Sequence, residues 1–279
     1  MQRNWLITGT SSGLGRILTE KLLARGDRVA ATVRNPQASQ ELQARYGDQL
    51  WIGTLDVADT AAVYAVVEQA FAALGRIDVV VSNAGYGLFG AAEEVSEGQI
   101  RRQIDTNLLG SIHLIRAALP HLRKQGGGRV LQVASEGGQI AYPNFSVYHA
   151  TKWGIEGFVE SVAQEVAPFG IEFTLVEPGP ARTSFAAGLD GVEPLPAYAA
   201  TPSGAMRKAL ASGDFALNGD PDRMTDAMLD CTETSPAPRR LTLGAGAYAS
   251  IRAALQSRLD ALEAQRELAC RADFEEEAA

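Results

Sequence analysis

The chain has 279 residues, 46% hydrophobic and 21% charged, with a formal net charge of −8. That length can bury a sizeable core, and the composition has neither the low hydrophobicity of a disordered chain nor a low-complexity tract. Lys and Arg are scattered within an acidic balance, which disfavours a nucleic-acid partner, since such binding draws its affinity from clustered basic side chains.

From residue 4 to about 180, short β-branched runs alternate with helical patterns, the signature of βαβ units and a parallel sheet. "WLIT" opens the series. Leu14, Ile17, Leu18 and Leu22 then recur at helical spacing, Gly26 is placed as a C-terminal cap, and "RVAATV" completes one βαβ unit. "LWIGTLDV", "IDVVVSN", "RVLQVAS" and "EFTLVEP" read as further strands, with helices expected at 59–74, 97–124 and 146–168. Residues 180–205, rich in Ala, Gly and Pro, read as a long loop over the sheet edge, a lid or a disordered segment. Beyond it come a helix near 221–233, a short strand "RRLTLG" and a terminal helix over 246–270. Tyr248, Ile251, Leu255, Leu259 and Leu262 form one stripe on that last helix, suited to packing on the body or on another subunit, with core packing expected. "DFEEEAA" reads as a solvated tail.

With no repeat and no Gly/Ser linker, the expected fold is α/β: a Rossmann-type doubly wound parallel sheet flanked by helices. It forms a single domain over 1–279, with a core at 4–180 and a substrate loop and C-terminal helices at 181–279. Cys231 and Cys270 stand far apart outside any CxxC pattern, so neither a disulfide framework nor a metal site is expected. No run approaches the ~18 apolar residues of a membrane span, and no charged segment leads into a secretory h-region. A cytoplasmic protein without a membrane partner is the expectation.

The first strand runs directly into "TGTSSGLG". Glycine at Gly9, Gly13 and Gly15 lets backbone approach a pyrophosphate at the helix N-terminus, whose N–H groups are unpaired. A glycine loop between the first strand and first helix of a β/α chain points to a dinucleotide. Downstream, "YHATK" sets Tyr148 and Lys152 four residues apart, hence on one helix face. A carbonyl accepting hydride develops negative charge on oxygen and needs a proton donor and a second hydrogen bond there. Tyr148 suits the first. An unperturbed phenol titrates near ~10, and the Lys152 cation is expected to lower it.

The Gly-x-x-x-Gly-x-Gly loop, "SNAG" at 82–85, Asn107, Ser135 and the YxxxK pair together resemble the short-chain dehydrogenase/reductase family. The resemblance covers residues 4 to about 185, and Ser82 departs from the family's NNAG. It implies a hydride-transferring oxidoreductase that interconverts a ketone or aldehyde and its alcohol, with a catalytic tetrad of Asn107, Ser135, Tyr148 and Lys152. It also implies that Ser135, at the end of "RVLQVAS", supplies the second hydrogen bond, that Lys152 bonds the nicotinamide ribose, that Asn107 holds a proton-relaying water, and that Asp56 bonds the adenine amino group. The implied dinucleotide-binding set comprises Gly9, Ser11, Ser12, Gly13, Leu14, Gly15, Arg34, Asp56, Val57, Asn83, Ala84 and Gly85. Tyr148, Lys152, Pro178, Gly179 and Thr183 complete it. Alone, Asp56 also reads as an Asx cap.

At the end of the second strand Val33 replaces the carboxylate that would bond a free ribose 2′-OH, and Arg34 follows, so NADP(H) is the expected dinucleotide. Ser12 supplies no second basic group, which leaves NAD(H) use open. Tyr86, Phe89, Phe145, Phe185 and Tyr198 fall in segments that the family places near its pocket, hinting at an apolar substrate. His149 is expected at the surface or in packing, and Glu136 as a solvated loop charge. The helices at 97–124 and 146–168 resemble those through which relatives form dimers and tetramers, so a homo-oligomer is expected. The alternative function is a non-catalytic dinucleotide-sensing protein on the same fold.

Overall fold

The computed structural model describes residues 2–274. Its strands, in chain order, are β1 (Asn4–Thr8), β2 (Arg28–Val33), β3 (Leu50–Thr54), β4 (Val79–Ser82), β5 (Leu88–Phe89), β6 (Gly128–Val133), β7 (Ile171–Pro178), β8 (Asp190–Gly191) and β9 (Arg240–Leu243). The helices are α1 (Gly13–Ala24), α2 (Gln40–Tyr46), α3 (Thr60–Leu74), α4 (Glu97–Ile104), α5 (Gly110–Lys124), α6 (Ser146–Val166), α7 (Pro202–Ser212), α8 (Pro221–Cys231), α9 (Ala245–Glu263) and α10 (Arg266–Cys270).

Seven strands form one parallel sheet in the order β3-β2-β1-β4-β6-β7-β9, with Leu6 facing Ala30 on one side and Val80 on the other. Helices cover both faces, so the central strands are apolar on both sides, as "VVVS" of β4 is, buried along its whole length. On one face Val63 and Val67 of α3, Leu114 and Ile115 of α5, and Ile155 and Val159 of α6 form the core. On the other, Leu18 and Leu22 of α1 meet Met224 and Met228 of α8. The strand order reverses at β1/β4, and ligands of such sheets bind in the crevice beyond the C-terminal strand ends at that point.

Local signals account for most boundaries. Gly26, at φ +92, turns the chain after α1, as its position predicts. Asp59 caps α3 through Ala62 N at 3.0 Å, and Ser96 with Gln99 forms a capping box on α4. Elsewhere the expectations need correcting. The third strand stops at Thr54 rather than running through Val57, because Asp56 accepts from Ala58 N (3.0 Å) and turns the chain out of the sheet. The helix expected at 97–124 is interrupted by a π-helical turn at Asp105–Leu109, which contains Asn107.

Residues 180–205 are no featureless loop. β8 lies there, paired in parallel with β5, followed by a short 3₁₀ turn and the start of α7, whose N-cap is Thr201. A two-residue strand carries no periodicity, so composition alone hides it. The stripe on the terminal helix does not pack as expected: Ala247 and Ile251 are buried, but Tyr248 is 63% exposed and Leu255, Leu259 and Leu262 are exposed beside it. Only the first two turns of α9 therefore reach the core. The expected acidic tail lies, for residues 275–279, outside the described residues.

Candidate functional site

The glycine loop and the "SNAG" segment are stapled together at the switch point. Thr8 Oγ1 accepts from Asn83 N (3.0 Å) and Ala84 N (3.1 Å), and Asn83 Nδ2 donates to Thr8 O (2.9 Å) and Gly9 O (3.1 Å). This contact dictates glycine: a Cβ on Gly9, which has φ +71, would stand 2.9 Å from Ala84 Cα, and one on Gly15 would collide with Gly9 O and Asn83 Nδ2. Ser12 precedes α1 without a side-chain cap, which leaves the helix N-terminus free to receive an anion.

The other expected dinucleotide residues lie at or after the C-terminal ends of the sheet strands. Ser11 and Ser12 are exposed after β1, while Leu14 packs on the core below. Arg34 is exposed just past β2, has no ion pair among the described residues, and follows a buried Val33. Asp56 is exposed after β3, and Val57 is buried against Gly110 of α5. Gly85 approaches Asn107, and Thr183 lies across from Gly13, 3.8 Å from where its Cβ would be. Pro178 ends β7, and Gly179 N donates to Leu243 O at 2.9 Å. The uncapped helix and the unpaired guanidinium fit the pyrophosphate and 2′-phosphate of a dinucleotide.

Tyr148 and Lys152 share one face of α6, both about 7% exposed, with the ammonium 5.7 Å from the centre of the phenol ring. Lys152 Nζ donates to Val133 O (2.9 Å) at the end of β6. Two residues on, the Ser135 hydroxyl accepts from Gly137 N (3.0 Å). Asn107, turned inward by the π-helical turn, holds the Tyr86 backbone by accepting from its N–H (3.1 Å) and donating to its carbonyl (2.8 Å). Tyr148, Lys152 and Ser135 thus stand together at the C-terminal end of β6, and Asn107 lies against Gly85 and Tyr86.

Burial pushes the Tyr148 phenol up to about 12; the Ser135 hydroxyl works against that rise and the Glu136 carboxylate adds to it. Burial also brings Lys152 down to about 8, opposed by the Glu156 carboxylate. The expected lowering of the phenol is therefore not what this protein shows on its own: burial raises it, and the opposing cause is the Ser135 hydroxyl rather than the Lys152 ammonium.

An aromatic cluster roofs the phenol. Phe145 lies 5.9 Å and Phe185 5.8 Å from Tyr148, centre to centre, and Phe89 packs on Phe145. Leu189, Met206 and Leu210 close over them from the lid formed by β8 and α7. Tyr198 does not join the cluster and stands beside Glu93, whose carboxylate raises its pKa. His149 is buried, as the packing expectation allows. Its Nδ1 pairs with Gly137 O (2.8 Å) and its Nε2 accepts from Tyr142 N (3.2 Å), so it braces the segment between Ser135 and Tyr148.

Glu136 is the clear miss among the site expectations: rather than a solvated charge, it is 5% exposed, with Oε1 accepting from the Tyr142 hydroxyl at 3.2 Å. Burial raises its pKa. Sequence reasoning also passed over Tyr142 and the ion cluster in which Arg240 meets Glu156, Glu160 and Glu177. One signal was available for Glu156, its place four residues after Lys152.

A family model described as short chain dehydrogenase matches residues 3–194. The chain belongs to the short-chain dehydrogenase/reductase family and is one of its oxidoreductases. It is 36% identical over 245 residues to oxidoreductase BOA17 of Botryotinia fuckeliana, covering 88% of this chain and 89% of that protein. The crystal structure of a short-chain dehydrogenase from Streptomyces avermitilis superimposes with a TM-score of 0.91 at 37% identity, covering 98% of this chain and all of that one. An alcohol dehydrogenase from the archaeon Thermococcus sibiricus, complexed with 5-hydroxy-NADP, matches with a TM-score of 0.69 at 26% identity over 87% of this chain and 95% of that one.

Proposed function

We propose that this oxidoreductase interconverts a ketone or aldehyde and its alcohol by hydride transfer, using NADP(H), with Tyr148 as the acid and base. The observation that carries this reading is the buried Tyr148–Lys152 pair on one face of α6, next to Ser135 at the end of β6. When bound, the dinucleotide supplies or accepts the hydride. Tyr148 then gives its proton to the developing alkoxide, and the Ser135 hydroxyl holds the same oxygen. Lys152 favours the phenolate that results and bonds the nicotinamide ribose, while Asn107 positions a relaying water. Gly9, Ser11, Ser12, Gly13, Leu14 and Gly15 receive the pyrophosphate, and Asp56, Val57, Asn83, Ala84 and Gly85 the adenosine side. Pro178, Gly179 and Thr183 wall the nicotinamide.

Arg34, exposed and unpaired, is the residue for a 2′-phosphate, and the NADP derivative bound by the Thermococcus dehydrogenase agrees with that preference. NAD(H) use stays open because Ser12 is not basic. The roof of Phe89, Phe145, Phe185, Leu189 and Met206 supports an apolar, medium-sized substrate. Leu109 and Trp153, exposed on the segments expected to pair between subunits, support a homodimer or homotetramer, and the cytoplasm is the proposed location. Among the described residues no helix is long and apolar enough to cross a membrane, and no group of three or more acidic, His or Cys side chains is placed to hold a metal.

The test is Tyr148→Phe. Its kcat/KM for carbonyl reduction should fall by about 10²–10⁴, and undiminished turnover would remove the proton-donor assignment. A kcat/KM for NADH above that for NADPH would remove the dinucleotide assignment.

A further inference from the structure

Among the described residues, buried carboxylates have cationic partners, with one exception. Asp27 faces Arg25 at 2.6 Å, Glu156 and Glu177 share Arg240, and the fully buried Glu94 side chain pairs with Arg207. Glu136, equally buried, has no ion pair among the described residues, and its one hydrogen bond comes from the neutral Tyr142 hydroxyl. Carboxylates withdrawn from water without a counter-charge are costly, so they persist where a ligand or a reaction uses them.

The placement of Glu136 supports such a use. It follows Ser135 directly, lies near enough to Tyr148 for its charge to raise that phenol, and is tied through Tyr142 to the Phe145 and His149 packing around the site. Its second oxygen, Oε2, accepts no hydrogen bond from any described residue. Oε2 lies beside Gly179 of the proposed nicotinamide wall, 3.6 Å from where a Cβ there would stand, and Ala247 of α9 packs on the same glycine. One oxygen is anchored by the Tyr142 hydroxyl, and the other lies beside Gly179 without a hydrogen bond among the described residues.

We propose that Glu136 is a specificity-determining residue whose Oε2 receives a hydrogen-bond donor carried by the substrate on the carbon next to the one that reacts. The favoured substrates are then vicinal hydroxy or amino carbonyl compounds and their alcohols, with an apolar remainder under the Phe145 and Phe185 roof. A protonated amine would supply the missing counter-charge and a hydroxyl the missing hydrogen bond. Sites built to hydrogen-bond a substrate group reject analogues lacking it far more strongly than apolar pockets reject a change of size, because the buried polar group is left unpaired. This inference rests on the carbonyl/alcohol reading above.

The experiment compares three alcohols with NADP⁺: the secondary octanol, the octanediol with its second hydroxyl on the neighbouring carbon, and the octanol with an amine on that carbon. Each is tested as substrate of the wild-type protein and of Glu136→Gln, which keeps the shape and the Tyr142 contact. Calorimetry of the same compounds on the NADPH-loaded protein gives a readout independent of turnover. The expected result is a kcat/KM at least about tenfold higher for the amino alcohol and the diol than for the plain alcohol. In Glu136→Gln the amino-alcohol advantage over the plain alcohol disappears. Equal wild-type kcat/KM values for the three, or an advantage that survives Glu136→Gln, overturn the proposal and leave the carbonyl/alcohol reading intact. Glu136-dependent binding of the amino alcohol without turnover of any of the three supports the recognition role and removes the catalytic reading. Absence of both turnover and selective binding removes both. Should the variant fail to fold, the wild-type ranking decides by itself.

Discussion

The crevice floor and the lid are built in different ways. The floor, from β1, β4, β6 and α6, places each group by backbone or buried hydrogen bonds: Thr8 to the "SNAG" backbone, Asn107 to Tyr86, Lys152 to Val133. The lid of β8 and α7 is held by side chains on apolar contact and by two ion pairs, Arg102–Asp190 at 2.7 Å and Arg207–Glu94. Backbone-anchored groups tolerate little displacement, whereas an apolar roof can be repacked at modest cost. On the proposed reading the chemistry belongs to the floor, and the choice of substrate to the lid and to Glu136.

Substitutions in the two regions should therefore behave differently. The largest effect is expected for Gly9→Ala. Its positive φ and the 2.9 Å approach to Ala84 Cα leave no room for a methyl group, and NADPH affinity, read from quenching of dinucleotide fluorescence, should drop by up to about 100-fold. Unchanged affinity would break the claim that the floor is rigid.

Next in size is the pH profile of reduction. Lys152, with its pKa lowered to about 8, is charged below that pH and neutral above it. Reduction needs the charged ammonium and the protonated phenol of Tyr148, so kcat/KM should be level on the acid side and decline about tenfold per pH unit above pH 8. In Lys152→Arg the decline near pH 8 should vanish, whatever the absolute rate, and a decline at the same pH in that variant would assign it to another group.

Arg34→Ala should lower kcat/KM for NADPH about tenfold and leave NADH little changed, which steady-state kinetics with both dinucleotides would resolve. The smallest effect belongs to the lid. Phe185 is 40% exposed, so Phe185→Ala should raise KM for an apolar ketone only about threefold, with kcat and Tm nearly unaltered. A larger loss in kcat would mean that the roof takes part in positioning and would erase the contrast with the floor.

The same contrast explains what the sequence discloses. The floor is legible because its constraints are local: a glycine where two backbones touch, a four-residue spacing that stacks Tyr148 over Lys152, apolar runs for strands buried on both faces. The lid is not, because β8 is two residues long and gets its place from β5, a hundred residues earlier, through Leu88 and Asp190. Burial of Glu136 was equally hidden. A Glu after a strand-end Ser is read as a loop charge, and only the packing of the 3₁₀ turn at 136–138 against α6 and Gly179 encloses it. The exposed stripe on α9 shows the converse error, since periodicity identifies a helix face without identifying what covers it.

The most direct test of hydride transfer at Tyr148 is NADPH oxidation followed by absorbance against a panel of ketones and aldehydes, with NADH in parallel. The proposed chemistry predicts turnover of at least one apolar carbonyl compound, faster with NADPH, and its loss in Tyr148→Phe. Dinucleotide binding with no oxidation across the panel would contradict it and would favour a dinucleotide-sensing protein built on the same fold.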